Sequence, residues 1–249
     1  MPTMYNRKSF LNLYIDQTSA ALLVDPSAYL SDLFGTKTIQ IISLNLEQVV
    51  LAQDDPEYQR IISESELIIP DGVSIVLTDD LLRCLGIDKS EFGLKKLAGI
   101  DLAAKLIEEK KRIAIWGAKK ENLLSLEEKF SSKLVFLEHG YFGIDQKDEL
   151  LERLIRSNPD LLLVGMGAPK QEKLIDECKS RLSNCVCMGV GGALDVWAGQ
   201  LSRAPDWMIF LHLEWFFRII QEPYRLKRFL HNVRGYILLL ICHLRGKLT

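Results

Sequence analysis

An α/β architecture is predicted for this chain by three observations. Six short apolar runs recur along most of its length, amphipathic stretches of helical size separate them, and two of the runs end in glycine-rich turns. Strand-helix alternation at this spacing predicts a mostly parallel, Rossmann-like sheet with helices on both faces. Beyond it a basic, aromatic helical appendage is expected at the C-terminus. The 249 residues are 48% hydrophobic and 26% charged, with 16 Gly and 8 Pro, which excludes collagen-like, mucin-like and disordered chains.

Taken in order, the first 35 residues give a weak pattern, read as a hairpin around Leu11–Val24 and a helix to Phe34. The apolar runs Ile39–Ser43, Leu67–Ile69, Arg112–Trp116, Lys133–Leu137, Asp160–Val164 and Cys185–Val190 are the expected strands. Helices are expected over Leu46–Gln53, Pro56–Ser63, Val73–Leu85, Ile100–Lys110, Glu121–Phe130, Lys147–Arg156 and Pro169–Leu182. The alternation stops near Ser202–Asp206, which divides a 1–203 α/β domain from a 204–249 appendage; a softer division falls at Gly86–Leu97.

Five cysteines lack the spacing of a disulfide framework, and neither CxxC nor HExxH occurs, so no metal site and a reduced, cytosolic setting are expected. Cys185 and Cys187 should share one buried strand face. Neither a signal peptide nor a membrane-spanning run is expected. Charge is uneven. From Arg218 onward seven basic residues face one acid, so the tail carries about +6 and the preceding 217 residues about −8. Interleaved with these bases are Trp215, Phe216, Phe217, Tyr224, Phe229 and Tyr236. That mixture suits an anionic membrane surface better than nucleic acid. The plainer alternative is a helix pair packed on the domain with solvated Arg and Lys.

Parallel sheets bind ligands beyond the carboxyl ends of their strands, so the residues just past each strand are the candidates for a site. Ser43 and Asn45 stand at the end of the first, with Asn45 equally suited to cap a helix. Pro70-Asp71-Gly72 comes after the second. Asp71 is either a helix cap or a general base able to take a proton from an attacking hydroxyl. Gly165-Met166-Gly167-Ala168-Pro169-Lys170-Gln171 comes after the fifth and would present N–H groups to a diphosphate, although it is neither a Walker loop nor a GxGxxG fingerprint. Gly191-Gly192-Ala193-Leu194-Asp195 comes after the sixth, as a second phosphate cradle or as glycines needed for tight packing. Asp195 either contacts a ribose or sugar or pairs with Arg203. His139 and Trp197 read as structural.

Taken together, these strings resemble the WecG/TagA/CpsF glycosyltransferase family, of GT-E fold. The markers are Ser43-Leu44-Asn45, Ile69-Pro70-Asp71-Gly72, Leu97-Ala98-Gly99-Ile100-Asp101-Leu102, His139-Gly140-Tyr141-Phe142, Gly165 to Glu172, Gly189 to Asp195, Ala198-Gly199, Arg203-Ala204-Pro205 and Glu214-Trp215, with Arg218, Glu222-Pro223, Arg225 and Arg228. The resemblance implies an inverting, metal-independent transfer from a UDP-sugar to a polyprenyl-diphosphate-linked saccharide in envelope polysaccharide synthesis, without a cofactor. The sugar would be N-acetylmannosamine, its uronic acid, glucose or glucuronate. Asp71 is then the base, and Ser43, standing where the family often has Thr, lines the sugar site with Asn45. Gln171 lies in the donor pocket. Arg218, Arg225 and Arg228 belong to a membrane-docking appendage that reaches over the active site, which places the protein at the cytoplasmic membrane face. Lys96 departs from the family, which usually has Arg there. It keeps the charge for an acceptor or donor phosphate but loses the bidentate fork. A homo-oligomer is left open. The competing readings are a nucleotide-sugar-modifying enzyme, disfavoured by the missing GxGxxG, and a non-catalytic membrane-docked scaffold.

Overall fold

The computed structural model describes residues 7–17, 21–90 and 93–246, with the side chains of Arg228, Leu239 and Cys242 outside that description. A hairpin of β1 (Arg7–Phe10) and β2 (Leu13–Asp16) opens the chain, followed by α1 (Ala21–Val24) and α2 (Pro26–Phe34). Next come β3 (Ile39–Leu44), α3 (Leu46–Asp54), α4 (Pro56–Glu64), β4 (Leu67–Pro70), α5 (Val73–Cys84) and α6 (Gly99–Glu109). The second half of the sheet region holds β5 (Ile113–Ala118), α7 (Leu123–Phe130), β6 (Leu134–His139), α8 (Ile144–Ser157), β7 (Leu161–Val164), α9 (Lys170–Lys179), β8 (Val186–Gly189) and α10 (Ala193–Trp197). The chain then turns through α11 (Asp206–Phe210), α12 (Glu214–Gln221) and α13 (Arg225–Leu244).

Strands β3 to β8 form one parallel sheet in the order β4-β3-β8-β7-β5-β6. Parallel neighbours need crossover connections, and those crossovers cover both faces with helices. Strands covered in this way are apolar throughout rather than alternating: every residue of the inner strands β7 and β8 is buried, as is every residue of β4, the edge strand against which the hairpin packs. Alternate residues still go to opposite faces. Ile39, Ile41, Ile113, Ile115, Leu161, Leu163 and Met188 pack with Leu102 and Leu106 of α6 and Leu126 of α7. Ala114, Trp116, Leu162, Val164 and Cys187 pack on the other side with α8 and α9. Cys185 and Cys187 do share that face, their sulfurs 3.9 Å apart.

All six expected sheet strands are present within a residue or two of their expected ends. The expectation that fails is the N-terminal hairpin. Its turn is Leu11-Asn12, both with positive φ (46° and 63°), and Ala21–Val24 is helical instead of strand. A two-residue turn of this hand ordinarily carries Asn-Gly or Asp-Gly, and Leu-Asn gives no such signal. Asp16 fastens the hairpin to the sheet. Its Oδ2 accepts from the Ile68 amide on the outer edge of β4, and Oδ1 accepts from Arg7 Nε at 2.9 Å.

The C-terminal helices lie against the same end of the sheet. Helix α13 packs along α3; Tyr236 enters the cluster around β3 and β4, and its hydroxyl is hydrogen-bonded to Thr78 on α5. Trp215 of α12 stacks on Phe229 of α13, with centroids 4.8 Å apart and planes 6° from parallel.

Candidate active site

Asp71 emerges from the carboxyl end of β4, anchored by its own amide to Leu44 O at 2.8 Å. It does not cap α5, because Gly72 holds the N-cap position and no side chain caps that helix. The Asp71 carboxylate instead accepts from Ser43 Oγ at 2.7 Å. Burial pushes this carboxyl above the usual carboxylate range. The Ser43 bond, the Gly99 amide and the charges of Arg218 and Lys96 pull the other way. Gly99 is where the niche is tightest: a Cβ there would stand 2.2 Å from Ser43 Oγ and 3.2 Å from Met188 Cε. Nothing in composition or periodicity reveals that approach; only its place in the Leu97–Leu102 string singled the glycine out.

Asn45 is the helix cap that its position suggested, and it also stands on a cavity wall. Its Oδ1 caps α3 by accepting from Gln48 N at 3.2 Å, Gln48 Oε1 accepts from Asn45 N at 3.0 Å, and Asn45 also lines a cavity of about 510 Å³. Gly72 and Lys96 line it from the sheet side, and Arg218 and Arg225 from the appendage. The remaining wall is mostly apolar, with Leu46, Val73, Leu77, Trp215, Phe229 and Tyr236. Lys96 is ion-paired with Glu214 at the start of α12, and Arg225 with Glu222. Arg228 belongs to α13 by its backbone, and its side chain lies outside the described residues.

The glycine turns form a second group. Gln171 is buried, and its Oε1 accepts from Gly167 N at 3.2 Å and from Gly191 N at 3.1 Å. Its Nε2 donates to Glu172 at 2.7 Å, so both ends of the amide are engaged within the protein. The Gly165 amide is likewise taken, by Trp116 O at 2.8 Å. Three of the N–H groups expected to face a diphosphate therefore brace the two turns instead. Gly192 connects this group to the cavity, since Arg225 Nη2 lies 3.7 Å from where its Cβ would be.

Asp195 accepts from Asn122 Nδ2 at 2.7 Å. Arg203 is not its partner; that guanidinium grips Asp101 through two bonds of 2.7 and 2.9 Å. Asn122, immediately before α7, gave no signal in the sequence. His139 closes a turn by accepting from Tyr141 N at 3.2 Å, and Trp197 packs edge-on against Phe130. Among the described residues no three His, Cys, Asp or Glu side chains gather as a metal site.

A partly buried carboxylate, a hydroxyl bonded to it and a cation-lined cavity at the carboxyl ends of a parallel sheet are the parts of a group-transfer enzyme. A family model described as "Glycosyl transferase WecG/TagA/CpsF family" matches residues 8–248, which makes the chain a glycosyltransferase. The chain belongs to the WecG/TagA/CpsF family, as the ordered strings in its sequence indicated. It is 33% identical over 222 residues to the N-acetylglucosaminyldiphosphoundecaprenol N-acetyl-beta-D-mannosaminyltransferase of Bacillus subtilis (strain 168), covering 84% of this chain and 81% of that protein. It is 30% identical over 213 residues to the protein of the same name from Bacillus spizizenii, covering 83% of this chain and 80% of the other.

Proposed function

We propose that this enzyme transfers N-acetylmannosamine, or a closely related sugar, from its UDP donor to a polyprenyl-diphosphate-linked saccharide, with inversion and without a metal. The names of the two relatives support the acceptor class and the sugar. The observation that carries the reading is the Asp71–Ser43 pair set beside a cavity that joins Lys96, Arg218 and Arg225 to an apolar wall.

In this mechanism the acceptor hydroxyl attacks the anomeric carbon from the face opposite UDP. Its proton passes to the Asp71 carboxylate, a new carbon–oxygen bond forms, and the electron pair of the broken bond leaves with the diphosphate. A carboxylate raised by burial is a stronger base than an exposed one, and Ser43 holds it in line. The charge gathering on UDP is met by arginines and by the amides still free in the glycine turns. Exposed Trp207, Phe210, Phe216 and Ile220 share the appendage with its basic residues and dock the enzyme on the cytoplasmic face of an anionic bilayer. No described helix is long and apolar enough to cross it.

The test is a panel of UDP-sugars offered with a short polyprenyl-diphosphate-N-acetylglucosamine analogue and read by mass spectrometry. UDP-N-acetylmannosamine should give the product one sugar longer. Turnover of no UDP-sugar in the panel would overturn the reading.

A further inference from the structure

Behind the glycine turns runs a buried polar chain that the transfer chemistry leaves unused. Glu172 Oε1 accepts from two amides at once, Gln171 Nε2 at 2.7 Å and Gln48 Nε2 at 3.1 Å. Beyond Gln171 stand the two turns, bonded through its Oε1; beyond Gln48 stands Asn45 on the cavity wall. Gln48, Gln171 and Glu172 are each at most 5% exposed.

The two ends of a side-chain amide are nearly the same size, so hydrogen-bond partners alone decide which way it points. Turned over, Gln171 would aim its NH₂ at two backbone N–H groups, donor against donor. Glu172 Oε1 is the only acceptor bonded to that NH₂ among the described residues. In the same turns, the amides of Met166, Ala168 and Gly192 make no hydrogen bond among the described residues and remain for a ligand. Gly189 on β8 leaves the room for this arrangement: a Cβ there would meet Gln171 Nε2 at 2.5 Å and Glu172 Oε1 at 2.9 Å.

We propose that Glu172 is a positioning residue for the donor diphosphate. By accepting from both glutamines it keeps the Gln171 oxygen toward the two turns and so fixes the spacing of the amides that meet phosphate. The proposal rests on the UDP-sugar reading of the site. What the role demands is an acceptor at Oε1, not a charge. Glu172→Gln supplies that oxygen, and its NH₂ would replace Oε2, whose neighbour is the buried Tyr58 hydroxyl, a group able to accept from it.

The experiment measures UDP affinity by calorimetry, donor KM and kcat, and hydrogen exchange, on the full-length wild type, Glu172→Gln, Glu172→Met and Gly189→Ala. Glu172→Gln should stay within about threefold of wild type, while Glu172→Met and Gly189→Ala weaken UDP and raise donor KM by about tenfold or more, kcat changing less. Peptides containing Gly167 and Gly191 should exchange faster in those two variants alone. Wild-type UDP affinity in Glu172→Met would overturn the proposal, as would a loss in Glu172→Gln equal to that in Glu172→Met. If Glu172→Met does not fold, Gly189→Ala is judged by the same criteria. If the wild type itself ignores UDP, the functional reading fails; hydrogen exchange then decides whether Glu172 orders the turns.

Discussion

At Asp71 two influences oppose each other: loss of water raises the carboxyl's proton affinity, and Ser43, the Gly99 amide, Arg218 and Lys96 lower it. Asp71→Asn should cut kcat by about 10²–10⁴ while UDP affinity is retained, because only the proton acceptor is lost. The same change has a stability consequence. A carboxyl whose folded pKa lies above its unfolded value costs stability once pH rises through the folded value. Asp71→Asn should therefore melt higher than wild type at pH 8, with the advantage shrinking toward pH 4, as calorimetry can check. Ser43→Ala removes a bond that favours the charged form, so the acidic limb of the rate–pH profile should move to higher pH. Little of this was legible beforehand. Asp71, Ser43 and Asn45 stood out because each lies at the end of a strand. Gln171 promised a free donor and is instead a brace, since the fold brings two distant turns within reach of one amide. Asn122 became visible, and Glu172 gained a role beyond its place in a marker string, only when strands far apart in sequence became neighbours.

Among the elements, the sheet was the most legible part. Apart from half-buried β6 at one edge, its strands are buried on both faces, so they read as apolar runs bounded by charged or glycine-rich segments. The appendage read less well, because amphipathic, aromatic sequence gives no clue to which surface a helix meets. Helix α13 meets α3 and α5, and Tyr236 is its fastening. Tyr236→Phe keeps the ring but loses the bond to Thr78, and should lower stability by about 0.5–1.5 kcal/mol in urea unfolding. Leu163, fully buried mid-strand in β7, sets the contrast: Leu163→Ala should cost about 2–5 kcal/mol.

For the molecule as a whole, an acidic body carries a basic, aromatic end. Truncation before Arg218 removes α13 together with Arg218 and Arg225, opening the cavity on one side. Vesicle flotation should then show release from anionic bilayers, each lost base near the surface weakening attachment by about 1 kcal/mol. Transfer to a lipid acceptor should fall with it. Unchanged flotation would separate the appendage from membrane attachment.

The hairpin clasped to β4 has an effect of its own. An unguarded outer strand is a template on which a second chain can add, and here the Ile68 amide is already answered by Asp16. The β1–β2 hairpin thus seals the rim of the sheet along the strand that leads into Asp71. Preparations trimmed through Asp16 should clump while intact chains stay dispersed, so affinity handles are better added ahead of this segment than substituted for it.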